Sequence, residues 1–528
     1  MKFIARFLYV PLAGLLVLTS CAKDETESYD KFENQALEAW MTQHRSDLVE
    51  NLQSEGLYYV DLLDAGDLAS DPINTEDIWV SFDFSGRDLS GNIILTRNAD
   101  DAVLAGSFSK YTHYVPFYRY CGSENSGLME GTWLAMRRTL TLGDTYFRNN
   151  KDRLGITSPE VTLRYGSKIR LYMPSSVVGN GVEGTGGYEG QEGYSLSSKR
   201  PFIVTMEIRD TVSNPLEREG TDVDDFCELN GGLQIYSKGD DDTPATEVPE
   251  DPEDPEHPYN ETSKRWVSAC DSIPQVYVNV RYNPAEPRDQ LSFPAPYHVG
   301  YEPYVSEASV RDIDMQIAEA LKKRFHGEGD DYQKYEGVKA LEADSVTLDG
   351  TAKIWYIGRF LDGFIFDTNI DEVKQIIYGE VRKTGSAHSY DVQNPDLITA
   401  FYYIVPHLKY GQWATLVTTS TNAYGTTGKS GGSSTSTSSN GYTSSYYDYL
   451  NYLNYSQMYY GNNGYYGGYY NDYYGYGGLG NYGYYGGYYG GYGGNYDSGE
   501  TTTTTKVYTD IPSFSPLIFQ IYIEPDGK

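Results

Sequence analysis

The sequence predicts an α+β fold in which antiparallel sheet wraps on a helix, and three observations carry that prediction. Short apolar and aromatic runs at 56–60, 78–84, 168–173 and 202–208 have the length of strands and are separated by turn residues. Ile354 to Asp367 reads as a strand, a tight turn at Asp362-Gly363 and the start of a second strand, because apolar residues flank an Asp-Gly hairpin signal. Apolar residues recur near helical spacing twice, at Phe32, Leu37, Trp40, Met41, Leu48 and Leu52, and at Val310, Ile313, Ile317, Leu321 and Phe325. With 528 residues the chain is long enough for two or three domains, each burying a core.

Charge narrows the function. Lys and Arg number 41 against 74 Asp and Glu, a net charge of −33, which argues against nucleic acid or an acidic membrane face as partner. No Cys-x-x-Cys or Cys/His spacing offers a zinc site, and the sequence calls for no cofactor and no metal.

In chain order, residues 1–21 carry Lys2 and Arg6, an apolar run from Phe7 to Leu18, and then Leu18-Thr19-Ser20-Cys21. The run is short for a spanning helix and has the layout of a secretory signal. Its ending resembles the bacterial lipobox, which implies that Cys21 is acylated and holds the chain on a cell-envelope membrane by lipid alone. Lys23-Asp24-Glu25 resembles the export signal of surface lipoproteins in Bacteroidetes-type bacteria, implying an outer-membrane, surface-exposed location. Cys121, Cys227 and Cys270 then remain; the count is odd, and a Cys227–Cys270 pairing stays open.

Residues 22–52 form a tether and helix, 53–212 a first strand-rich unit, 213–275 an acidic Pro-rich linker region, 276–343 a connecting strand and helix, and 344–528 a last unit ending in a strand from Pro516 to Ile523. Gly179-Asn180-Gly181-Val182-Glu183-Gly184 has GxGxxG spacing, but more glycines follow where a dinucleotide site needs a helix, so it reads as a loop. The stretch from Gly239 to Pro258 lacks the ligand spacing of a calcium loop and reads as a stiff, solvated linker. Between Thr426 and Asp510 lies a low-complexity insert that holds most of the excess among 53 Tyr and 55 Gly. It has no steady aliphatic period, which predicts disorder, with tyrosines that still stack and hydrogen-bond.

Around the hairpin, Tyr356-Ile357-Gly358, Asp362-Gly363 and Phe366-Asp367 reproduce a "Y-x-G … D-G … F-D" spacing without a gap. Leu397-Ile398, Phe401, Gly411-Gln412, Tyr424-Gly425, Ile511-Pro512 and Leu517-Ile518-Phe519 follow in order. On these residues the last unit, minus its insert, resembles an FKBP-type peptidyl-prolyl cis-trans isomerase. The resemblance implies a catalytic set of Tyr356, Phe366, Asp367, Tyr424 and Phe519, with Leu397, Ile398, Phe401 and Ile511 binding substrate. Phe401 stands where the family usually has a tryptophan, and the insert interrupts the loop that overhangs the pocket.

The first unit resembles a decayed copy of the same fold. Phe84-Ser85-Gly86 and Gly91 keep the hairpin, Ile94-Leu95 replaces the Phe-Asp pair, Gly166 and Met173-Pro174-Ser175 keep a later pattern, Val178-Gly179 lacks the tyrosine, and Val204 stands in for the last aromatic. That implies two such domains, only the second with a site. The implied partners are proline-containing proteins or peptides, with a surface partner for the Tyr/Gly-rich insert. The competing reading is a non-catalytic surface scaffold that displays that insert.

Overall fold

The computed structural model describes residues 29–178 except 107 and 126–127, then 200–234, 266–268, 275–279, 282, 284–285, 293–297, 307–326, 345–346, 350–379, 385–429, 432–438 and 502–525. Cys21 with its signal, the glycine run 179–184, the acidic stretch 239–258, Cys270 and the tyrosine-rich 439–501 lie outside the described residues. The architecture is mixed α and β, with antiparallel sheets and several helices.

Helix α1 (Tyr29–His44) buries Leu37 and Met41, one turn apart, on its inner face. The helix expected to reach residue 52 stops at His44; a 3-10 turn, Ser46–Asn51, follows and buries Leu48. The first sheet is built from β1 (Tyr59–Ala65), β2 (Ile78–Arg87), β3 (Ile93–Thr96), β4 (Phe117–Cys121), β5 (Ser167–Met173) and β6 (Phe202–Val212). Its order is β1-β5-β6-β2-β3, with β4 pairing on β2 as well. Between strands come α2 (Ala99–Ala105), α3 (Glu130–Arg137) and α4 (Asp144–Leu154). The Asn98 side chain accepts from the Asp101 N–H to start α2, and Gly106 at φ 68° ends it. Trp133, Leu134 and Met136 of α3 lie in one core with Val60, Phe84, Leu171 and Val204.

The second unit starts earlier than 344. Helix α5 (Pro215–Leu229), opened by a proline in its first turn, packs Val223 and Phe226 with Val417 and Ile518. Strands β7 (Leu233–Gln234), β8 (Trp266–Ser268) and β9 (Val276–Asn279) extend the second sheet, and α6 (Glu307–His326) buries Ile313, Ile317 and Leu321 beside Trp355 and Ile357. The expectation of an acidic linker over 213–275 is therefore corrected, since that region contributes a helix and two strands to this core, while 276–343 carries the strand and helix expected of it, packed on the same core. Periodicity marks α6 as amphipathic but does not say which sheet it covers.

The remaining elements are β10 (Thr351–Phe360), β11 (Ile365–Thr368), α7 (Asp371–Tyr378), β12 (His388–Asp391), α8 (Thr399–Ile404), β13 (Trp413–Thr418), β14 (Gly432–Ser438), β15 (Thr502–Tyr508) and β16 (Leu517–Ile523). The sheet order β11-β10-β16-β13-β9 repeats that of the first unit, with β12 on β10 in the place of β4, and continues through β8 and β7. Both faces of β16 are buried. Leu517, Phe519, Ile521 and Ile523 face one core, while Ile518 and Tyr522 face the helices α5 and α6, as a period of two requires. The insert's two ends correct the expectation of disorder: β14 pairs with β15 over seven residues, from Gly432↔Tyr508 to Ser438↔Thr502.

Candidate functional site

The site is assembled where β11 bulges. Ile357 pairs with Thr368 and Gly358 with Asp367, but Arg359 pairs with Ile365, so Phe366 is the extra residue and β11 bends beside the hairpin. Gly363, at φ 92°, donates to the Phe360 carbonyl at 3.0 Å and makes the Asp-Gly turn the sequence predicts. The Phe366 ring folds back over Gly358, where a Cβ would lie 2.6 Å from its tip, so only a glycine lets the ring lie on the strand.

On the same face Tyr356 Oη donates to Asp367 Oδ2 at 2.8 Å. This bond fixes the phenol, and it is the role the geometry shows for Asp367. Phe519 lies across from Gly358 on the other neighbour, β16. Its ring is 5.7 Å from Phe366, 5.3 Å from Phe401 and 6.5 Å from Tyr356, the first two edge-on, and Phe366 is 6.4 Å from Tyr424, also edge-on. Phe366, Phe401, Ile511 and Phe519 belong to one buried cluster, with Tyr356, Leu397, Ile398 and Tyr424 half-buried against it. With Asp367 tied to Tyr356, the nine residues named from the sequence all lie in or against this one core, and the ring contacts join Tyr356, Phe366, Phe401, Tyr424 and Phe519. Cys21 lies outside the described residues.

The chemistry is apolar with two phenols. Burial pushes the Tyr424 hydroxyl up to about 12, with Asp367 adding to it, and pushes Tyr356 higher still, so both stay protonated donors at neutral pH. No cluster of His, Cys, Asp or Glu among the described residues could hold a metal. Cys121 and Cys227 are buried free thiols raised by desolvation, which makes them inert.

Sequence reasoning missed three neighbours. Lys429 places Nζ 5.1 Å from the Tyr424 ring centre, and its backbone bridges to Ile511, closing the base of the insert on the cluster's rim. His113, from the first unit, bonds Asp362 at 2.6 Å and stacks 4.3 Å from Phe360 and 4.6 Å from Phe364. Glu219 on α5 accepts from both the N–H and the Oγ–H of Ser420. Ile511, Asp362 and Ser420 each lie far in sequence from the residue that meets them, and no local pattern announces any of the three.

No family model matches the chain, and no curated protein does. Among solved structures it is similar to the three FKBP domains of wheat FKBP73, at 8% identity over 89% of this chain and 95% of that one, TM-score 0.18. It is also similar to FkpA from Escherichia coli, at 11% identity over 40% and 72%, TM-score 0.20. A third is a peptidyl-prolyl cis-trans isomerase from Pseudomonas syringae pv. tomato, at 16% identity over 36% and 99%, TM-score 0.21.

Proposed function

We propose that the second unit is a peptidyl-prolyl cis-trans isomerase acting on proline-containing proteins or peptides, held at the cell envelope by lipid on Cys21. The observation that carries the reading is the convergence of Tyr356, Phe366, Phe401, Tyr424, Ile511 and Phe519 around one face of the sheet. Prolyl bonds rotate over a barrier of about 18–20 kcal/mol, unaided in tens to hundreds of seconds. At the half-turned state the amide loses resonance and its carbonyl becomes less polar. An apolar aromatic surface then favours that state over the planar one, and each ~1.4 kcal/mol of preference is a tenfold gain in rate. No nucleophile is needed. Tyr424 donates to a substrate carbonyl, and Asp367 acts by orienting Tyr356.

A prolyl-peptide isomerisation assay on the full chain tests this. Wild type should exceed the uncatalysed rate, with Tyr424→Phe and Asp367→Ala each losing roughly tenfold or more, one hydrogen bond's worth. Equal background rates in all three would remove the enzyme. The ribbon β14–β15, rising from the rim beside Tyr424 and Ile511, favours a second reading, a surface scaffold that presents the tyrosine-rich insert. That reading predicts no turnover.

A further inference from the structure

Ser420 opens a single 3-10 turn, Ser420–Asn422, directly after β13. Its carbonyl accepts from Ala423 N–H at 2.9 Å and from Gly425 N–H at 2.7 Å, so the residues on both sides of Tyr424 are tied to Ser420. Ser420 is itself tied to Glu219: its N–H donates to Oε1, and its Oγ–H donates to Oε2 at 2.8 Å. Both residues are buried, each about 2% exposed, and they lie 201 positions apart. A carboxylate that accepts two bonds in a dry site holds one geometry firmly.

The first unit contains the same device. Ser175, which opens a short helical turn just after β5, donates its N–H at 2.7 Å and its Oγ–H at 2.5 Å to Glu33 on α1. Gly166 and Gly411 precede β5 and β13 equivalently, since Leu171 pairs with Val204 as Leu416 pairs with Phe519. Along the sequence, however, the fourth residue after Ser420 is Tyr424, whereas the fourth after Ser175 is a glycine.

Resting on the isomerase reading above, we propose that Glu219 is a positioning residue for the reaction, holding the turn at Ser420 so that Tyr424 presents its hydroxyl to substrate. It sits well before residue 344, so the reactive unit is incomplete without α5. Glu33 performs the same clamping with nothing to position.

The test uses the full chain and a short proline-containing peptide. Glu219→Ala should lower kcat/KM roughly tenfold, Glu219→Gln should restore part of it by keeping one acceptor, and Glu33→Ala should leave it unchanged. In a Tyr424→Phe background Glu219→Ala should add no further loss, because the two act through one hydroxyl. Amide exchange across 420–425 should quicken in Glu219→Ala and stay slow in Glu33→Ala. Unchanged exchange at 420–425, or additive losses in the double variant, would overturn the proposal. A wild type without turnover would remove the isomerase instead, and the exchange result would still decide the clamp.

Discussion

In the first unit Gly86 lies opposite Leu95 on β3 and Val204 on β6; in the second, Gly358 lies opposite Asp367 on β11 and Phe519 on β16. The bulge falls after the glycine in both, between Gly86 and Arg87 and between Gly358 and Arg359. The registers therefore match residue for residue. Phe84 stands at Tyr356, Ile94 at Phe366, and, counted from the first residues of α3 and α8, Thr132 stands at Phe401. The first unit thus keeps a ring at Phe84 and lacks the phenol hydroxyl, the carboxylate and the rings found at Phe366, Phe401 and Phe519. Thr132 turns its hydroxyl back to the Met129 carbonyl at 2.7 Å. The space over Gly86 is filled by Phe202 from β6, where a Cβ would meet the ring at 2.2 Å. A fold needs only burial and the glycine at these places, while a site needs particular polar atoms; the two requirements separate cleanly between the copies.

The comparison breaks hardest at the arginine after the bulge. Arg359 pairs with Asp314 of α6 at 2.7 Å with both side chains buried, and stacks 4.0 Å over Phe293. Arg87 pairs with Asp101 at 2.8 Å while 37% of its side chain stays exposed. Asp314→Ala leaves a buried charge unpaired and should cost about 3–5 kcal/mol, against at most about 1 kcal/mol for Asp101→Ala, read from urea midpoints of the full chain. Similar costs would mean that burial does not distinguish the two pairs.

A second difference is read in pH. Burial pushes the Glu219 carboxyl up from 4.5 to about 7, against the pull of its two bonds from Ser420 and with the help of Asp222 beside it. The folded protein therefore holds this proton more tightly than the unfolded chain, so the stabilisation is full below about pH 4.5 and is lost as pH rises through about 7. At about 1.4 kcal/mol per unit, wild type should lose about 3 kcal/mol relative to Glu219→Gln between pH 4.5 and 8.5. Asp222, raised to about 6, and its partner Arg218 are present in both proteins and cancel. Parallel stability curves would show that Glu219 does not titrate in this range.

The third exchange imports the first unit's residue. Phe519→Val should cost about 2 kcal/mol, somewhat less than truncation of a buried ring to alanine, and should lower kcat/KM by roughly tenfold or more. Val204→Phe should leave the kcat/KM of the full chain unchanged, because Ile94 and Leu95 offer neither ring nor carboxylate beside it. A rise above wild type in that variant would show that one ring suffices.

Much of the site is legible in the sequence. Tyr356, Gly358, Asp362, Gly363, Phe366 and Asp367 lie within a dozen residues, and a hairpin of fixed turn length brings them together by local geometry alone. Tyr424, Ile511 and Phe519 could be named only through a family resemblance, since nothing near them in sequence says that β16 runs between β10 and β13. The ends of the insert read as disordered because serine and threonine runs carry no burial pattern; their order comes from backbone pairing across 63 intervening residues, from Ser438 to Thr502.

By itself the sequence determined the net acidic charge, the hairpin with its turn glycine and the amphipathic helices, because these follow from composition, turn chemistry and short-range period. Tertiary structure alone decided that α5 and α6 belong to the second core, that Glu219 grips Ser420 and that His113 reaches Asp362. Such contacts are made by single side chains from distant segments, and their energy exists only once the sheet has brought the two surfaces face to face.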